Sequence, residues 1–440
     1  MIQTALLENA HDDLVTDAAY DYYGLKLATC SLDQRIKIWQ MDENTRGWVG
    51  GDDWKAHDAT VSKVAWAHPE FGTILATSSF DRTVKIWENV VDGHAGAANG
   101  AGPSSRWVEK AVLVEARGTV RYVEFAPRHY GLKLATVASD SYLRIYECLE
   151  PASLTTWQLL DEIDVTALSP RLQSRMQTHS IGTPIQTSLA LEGGASASLV
   201  AQALANQQPG KSVGMNNKEA DGGWCLSWCK ERYWGEVLAV GCGTSGVVHV
   251  IHLSASRRAA TLLALDPHPS ASDHPTTPSS SHAAQDALQS TSKPKAPAAS
   301  KAPPHSSAVV TVSWAPSCGR SYHLVATGGR DGHIRIWKLK PESDDDEEGE
   351  GGWSAGLVAD FEDHGAPVGK VEWNITGSVL SSVGNDGQVR LWKAMSGGAW
   401  RAAGTIGVEQ ADEKEGRSGE EGAGEGGEGE GMEVDEGEDA

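Results

Sequence analysis

A hydroxyl, a histidine and an aspartate held at fixed offsets could form a proton relay that activates a nucleophile. His57, Thr77 and Asp81 are such a set, with Trp87 six residues beyond the aspartate. A catalytic triad is needed once, in a cleft. Here the set returns as His11, Thr29, Asp33 and Trp39, as His305, Thr327, Asp331 and Trp337, and as His364, Ser382, Asp386 and Trp392. In every copy the hydroxyl stands four residues before the aspartate, and the aspartate six before the tryptophan. Such repetition points to structure. An aspartate in a turn orients the histidine, the histidine bonds the hydroxyl, and the hydroxyl accepts the indole N–H. No residue is assigned a catalytic role.

Two further patterns resemble chemistry. Gly241-Cys-Gly243-Thr-Ser-Gly246 fits a dinucleotide-binding loop, which requires a helix next. The next residues are Val247-Val-His-Val-Ile251, an alternating strand, so a hairpin turn is expected. The cysteines at 30, 148, 225, 229, 242 and 318 include one close pair, Cys225 and Cys229, and no second pair to complete a zinc set. They read as reduced, buried thiols of an intracellular protein. No cofactor and no metal site is expected.

The elements that position these residues are repeats. Ala65–Trp87 reads AWAHPEFGTILATSSFDRTVKIW and recurs at Ala19–Trp39, Glu124–Tyr146, Ser313–Trp337 and Glu372–Trp392. The third copy carries Ala116 at the histidine position and Tyr146 at the tryptophan position. A degenerate copy, Leu226–Ile251, is read with Glu219, Thr244 and Val250 at the histidine, aspartate and tryptophan positions. Alternating apolar pairs such as Val84 and Ile86 mark half-buried strands, punctuated by Gly, Pro and Asp. Each repeat supplies three strands. A fourth comes after each, at Trp48–Trp54, Trp107–Val114, Trp157–Ile163, Thr261–Leu265, Gly356–Phe361 and Trp400–Val408. Four-stranded repeats stacked radially make a β-propeller. The fold class is therefore all-β, a six-bladed propeller over residues 1–408.

Charge is concentrated outside the repeats. The chain carries a net −22; residues 409–440 hold 14 acids and 2 bases, and 342–350 hold 7 acids and no base. The repeats are thus nearly neutral, with no basic surface to neutralise phosphates, and direct nucleic-acid binding is disfavoured. No apolar run is long enough to span a membrane, and the first ten residues lack the basic segment of a secretory signal. Residues 167–222, 268–307 and 341–352 are expected to be disordered insertions, and 409–440 a disordered acidic tail. A short helix is expected at Val200–Ala205.

The upstream His with Thr/Ser-x3-Asp-x5-Trp resembles the WD repeat. More particular strings narrow the likeness: His11-Asp-Asp-Leu-Val-Thr-Asp17, Trp66-Ala-His-Pro-Glu-Phe-Gly72, Ser79-Phe-Asp-Arg-Thr83, Ala315-Pro-Ser-Cys-Gly-Arg-Ser321 and Trp373-Asn-Ile-Thr-Gly377. With them the chain resembles the Seh-type nucleoporins, WD-repeat proteins of the Y-shaped outer ring of the nuclear pore. The related Sec-thirteen coat proteins share Tyr22-Tyr23-Gly24 and Trp66-Ala-His-Pro69, and a COPII vesicle-coat subunit is the alternative. The resemblance implies a scaffold without enzymatic activity, working in a hetero-oligomer with other outer-ring subunits in nucleocytoplasmic transport. It implies residence at the nuclear pore and nuclear envelope. A role in nutrient signalling at the vacuolar or lysosomal surface also belongs to this family.

Strand counting bears on closure. If Trp400–Val408 is a strand, six blades are complete, and Ile2–Leu7, which precedes the first repeat, is left over. The ring is then open between its first and last blades, and its edges invite strand addition. Ile2, Thr4 and Leu6 are the candidate partner-seam residues. The resemblance agrees: such propellers are six-bladed and open, and a helical coat nucleoporin inserts a blade in trans.

Overall fold

A computed structural model describes residue 7 and residues 9–92, 104–168, 221–253, 259–266, 307–341 and 352–407. Residues 169–220, 267–306 and 342–351, which hold all but the ends of the expected insertions, the acidic tail, the helix expected at Val200–Ala205, Glu219, His305 and the seam residues Ile2, Thr4 and Leu6 lie outside them, whereas Ala167 and Pro341, at the edges of two expected insertions, sit in a 3-10 turn and a strand.

The described chain folds as 24 strands in six four-stranded antiparallel sheets, each built from four consecutive strands. Blade 1 is β1 to β4 (Val15–Tyr20, Lys26–Ser31, Arg35–Met41, Trp48–Lys55). Blade 2 is β5 to β8 (Val61–Trp66, Ile74–Ser79, Val84–Asp92, Ser104–Leu113). Blade 3 is β9 to β12 (Val120–Phe125, Lys133–Ala138, Tyr142–Cys148, Trp157–Asp164). Blade 4 is β13 to β16 (Gly223–Trp228, Glu236–Gly243, Val248–Leu253, Ala259–Leu265). Blade 5 is β17 to β20 (Val309–Trp314, His323–Gly329, Ile334–Pro341, Trp353–Phe361). Blade 6 is β21 to β24 (Val368–Trp373, Val379–Gly384, Gln388–Ala394, Trp400–Gly407).

The two-residue alternation of each repeat works on both faces. On β6, Leu75 and Thr77 point to blade 1, while Ile74 and Ala76 point to blade 3. Blade 2 is thus a sheet buried on both sides, which explains its near-continuous apolar runs. The aspartate turns share one backbone device. The residue after each aspartate is left-handed: Gln34, Arg82, Ser141, Gly332 and Gly387 have φ of 71°, 72°, 70°, 81° and 72°. The preceding aspartate carboxylate caps the turn, as Asp81 accepts the Thr83 amide at 2.9 Å.

The weakest expected strand is real. Trp400–Gly407 contains two Ala and two Gly, yet it pairs along β23 from Ala394↔Trp400 to Gln388↔Gly407. Its anchor is Trp400, buried edge-on against Trp373 at 5.3 Å. The degenerate repeat needs correction. Ile251, not Val250, lies opposite Leu238 as Trp87 lies opposite Leu75, because this hairpin turn is one residue longer. The cysteines need one too: five are buried, but Cys318 is exposed on a turn where its own φ is +46°.

Blades 4 and 5 enclose a histidine in indoles. His323 is 2% exposed, with Trp234, Trp314 and Trp353 at ring distances of 5.5, 5.5 and 5.4 Å. Burial, with some help from Arg320, lowers its pKa to about 4. The fold therefore holds the neutral ring. Above the unfolded value of 6.5 this costs nothing, and as pH falls from 6.5 to 4 the unfolded chain gains the proton first. About 3 kcal/mol of stability should be lost across that window. Melts of the parent and of His323→Phe, followed from pH 7 to 4, should diverge by this amount; parallel curves would refute it.

Candidate functional site: polar chains and the seam

The repeated set is assembled three times over in full. His11 Nδ1 lies 2.8 Å from Asp33, its Nε2 lies 2.9 Å from Thr29 Oγ1, and Trp39 Nε1 donates to the same oxygen at 3.0 Å. His57, Asp81, Thr77 and Trp87 give 2.8, 2.8 and 3.0 Å. His364, Asp386, Ser382 and Trp392 give 3.0, 2.9 and 2.9 Å. One tautomer satisfies every member: Nδ1–H donates to the carboxylate, and Nε2 accepts the hydroxyl proton. The hydroxyl oxygen is already covered by an indole, so it cannot approach a substrate. Burial raises the Asp81 pKa, but hydrogen bonds from His57 and Thr83 outweigh it and hold the carboxyl far below its usual range. Asp386 is lowered to about 2, where burial is outweighed by Arg390 and His364.

The two remaining copies differ: in blade 5 the histidine position, 305, lies outside the described residues, and in blade 3 it is an alanine. In blade 5, Trp337 donates to Thr327 at 3.1 Å, while Arg335 holds Asp331 at 3.1 Å through both terminal nitrogens. In blade 3, where Ala116 replaces the histidine, Arg144 takes Asp140 at 2.7 Å and Glu162 at 2.8 Å. Tyr146, in place of tryptophan, donates to Glu115 at 3.1 Å. A basic residue four after each aspartate (Lys37, Lys85, Arg144, Arg335, Arg390) was a regular signal left unread in the sequence. Asp81→Ala should leave His57 with an unmet donor inside the fold and lower stability by roughly 1–3 kcal/mol. An unchanged thermal melt would dismiss this role.

The junction between blades 6 and 1 differs from the other five. Apolar clusters join blades 1 and 2, 2 and 3, 3 and 4, 4 and 5, and 5 and 6. Among the described residues none joins 6 to 1. The face of blade 6 that should be covered carries Val379, Ser381, Val383, Val389 and Leu391, all solvent-accessible, with Val383 40% exposed. Their blade 2 equivalents Ile74, Ala76, Val84 and Ile86 are no more than 2% exposed. Across the gap, blade 1 presents Tyr20, Leu27, Trp39, Met41 and Trp48. Trp39 is half-buried, whereas Trp87, Trp337 and Trp392 are buried against the preceding blade.

A polar clasp crosses the gap at the channel. Lys370 of β21 reaches Asp17 at 3.1 Å and the Ala18 carbonyl at 2.6 Å on β1, and Lys63 reaches the same carboxylate at 3.2 Å. Burial of Lys370 lowers its pKa, but Asp17 outweighs this and raises it. The seam thus bares two sheet faces as well as strand edges. Every described blade already has four strands, so what this junction leaves uncovered is sheet face as well as strand edge.

The WD domain, G-beta repeat model matches residues 3–40, 52–88, 300–338 and 356–393. These are blades 1, 2, 5 and 6; blade 3, with Ala116 at the histidine position, and the degenerate blade 4 are not matched. Nucleoporin SEH1 of Saccharomyces cerevisiae is 30% identical, over 92% of this chain and 99% of its own length. Nucleoporin seh1 of Schizosaccharomyces pombe is 30% identical over 94% and 99%. Nucleoporin SEH1 of Homo sapiens is 30% identical over 90% and 86%. The chain belongs to the SEH1 nucleoporin family. In this SEH1-family chain, among the described residues, the junction of blades 6 and 1 is the one that no apolar cluster fills.

Proposed function

We propose that this chain is a non-enzymatic scaffold of the nuclear-pore outer-ring coat, and that its seam takes a blade from a helical coat nucleoporin. The pair of uncovered faces at blades 1 and 6 carries this reading. A lone six-bladed ring would gain by closing, since each other junction buries an apolar cluster. A chain that leaves one junction bare is suited to finishing it with a partner, and this makes it a member of a hetero-oligomer. The polar chains, capped by indoles, serve to pin strand to strand. Ile2, Thr4 and Leu6 stand next to the seam in sequence and are proposed as part of its rim.

Affinity purification of the tagged full chain from its native organism tests the assignment. Outer-ring nucleoporins should co-purify in stoichiometric amounts. Recovery of vesicle-coat subunits in their place would overturn it.

A further inference from the structure

The central channel widens at one end into a cavity of about 630 Å³. Each blade lines it with the second residue of its innermost strand: Thr16, Ser62, Arg121, Trp224, Val310 and Gly369. Leu32, Phe80 and Arg330 line it too, each the residue before a turn aspartate. The mouth therefore lies on the face of the ring that carries the aspartate turns.

This mouth is cationic. Lys63, Arg121 and Arg330 line it, and among the described residues its wall holds no Asp or Glu. Lys63 reaches down the channel to Asp17. Arg121 donates its Nε–H to Thr119 at 2.9 Å, with the Phe80 and Trp224 rings 4.1 and 5.1 Å from the guanidinium. Arg330 is exposed and donates to the Gly222 carbonyl at 3.3 Å, while Asp331 beside it is held by Arg335. A carbonyl satisfies one donor of Arg330 and leaves its charge uncompensated.

The chain carries a matching polyanion. Residues 409–440 hold 14 acids and 2 bases. Strand β24 ends at Gly407 opposite Gln388, two residues past Asp386, so the chain leaves the ring on the face that carries the mouth. Crossing the four strands of a blade takes about 14 Å, and about ten extended residues reach roughly 33 Å. The other acidic run, 342–350, is joined to Pro341 and Trp353, at the far end of blade 5 from its aspartate turn. Tethering decides between occupants. A free anion must approach a chain of net −22, whereas a tethered segment stands at a roughly millimolar effective concentration.

We infer that the acidic segment 409–440 binds in cis across the channel mouth, its carboxylates drawn to the cations there, Arg330 foremost. The contact is separate from the seam, so its failure would leave the scaffold reading untouched.

A nitroxide on the full chain, labelled with 15N-tryptophan, is the test. Ala423→Cys carries the nitroxide, and Cys318→Ser removes the exposed native thiol. The Trp224 indole resonance reports the mouth, and that of Trp234, in the β13–β14 turn on the opposite face, is the control. In about 0.01 M salt the label should broaden Trp224 and spare Trp234. The broadening should vanish at about 1 M, because the screening length falls from roughly 30 Å to roughly 3 Å. Arg330→Glu, a charge reversal at an exposed site, should at least halve the broadening and leave the melt unchanged. No broadening of Trp224, equal broadening of both indoles, broadening that survives the high salt, or an undiminished effect in Arg330→Glu would each overturn the inference.

Discussion

Arg144→Ala should be among the most destabilising single substitutions in this chain, at about 3–5 kcal/mol. The side chain is fully buried, and its guanidinium is shared between Asp140 and Glu162. Truncation leaves both carboxylates without their cation in a confined site. Burial raises the Asp140 pKa, and Arg144, with two backbone amides, outweighs it; without Arg144 that balance tips toward protonation. Arg144→Lys should recover part of the loss, since one ammonium cannot reproduce a fork of five donors. Arg390, which grips Asp386 but is half-buried beside an intact His364, should cost much less on truncation. Chemical denaturation of the three variants gives the order. Equal losses at Arg144 and Arg390 would refute the claim that arginine replaces the missing histidine of blade 3.

Charging the blade 6 face should abolish assembly while leaving the fold in place. Val389→Lys with Leu391→Lys puts two ammonium groups where an incoming blade would pack, and desolvating them should weaken capture at least about 100-fold. Both residues already touch solvent, so the melt should change little. The matched control is Ile86→Lys in blade 2, whose residue lies at the same register point as Leu391 but is fully buried. That variant should unfold. Retention of outer-ring nucleoporins by the double variant in a pull-down would place the partner elsewhere. A collapsed melt would show instead that this face is covered within the chain itself.

The seam also explains why Lys370 and Asp17 matter beyond their pairing. They join the innermost strands of blades 6 and 1 where no apolar cluster does. The apolar faces further out are left apart. A blade entering from outside would meet uncovered side chains and stop at the clasp.

Local pattern determined most of the architecture. The six-residue step from aspartate to tryptophan fixes a hairpin, and the period of two fixes which side chains share a face. Six blades of four strands are therefore legible in the chain itself. The polar sets at His11, His57 and His364 were legible for the same reason, because all members of each lie within one hairpin and its lead-in. Three things were not. Arg144 in place of a histidine shows itself only once β11 and β12 bring Asp140 and Glu162 to one guanidinium. The one-residue longer turn of blade 4 could be placed only by the pairing of Leu238 with Ile251, since two short strands tolerate either alignment in sequence. Strand counting anticipated an open ring, but which side chains the seam bares is a property of the ring. Val389 and Leu391 read as core residues no different from Val84 and Ile86, and whether they are covered depends on whether the last blade meets the first. Sequence periodicity sets what each face wants; only tertiary structure decides which faces find a neighbour.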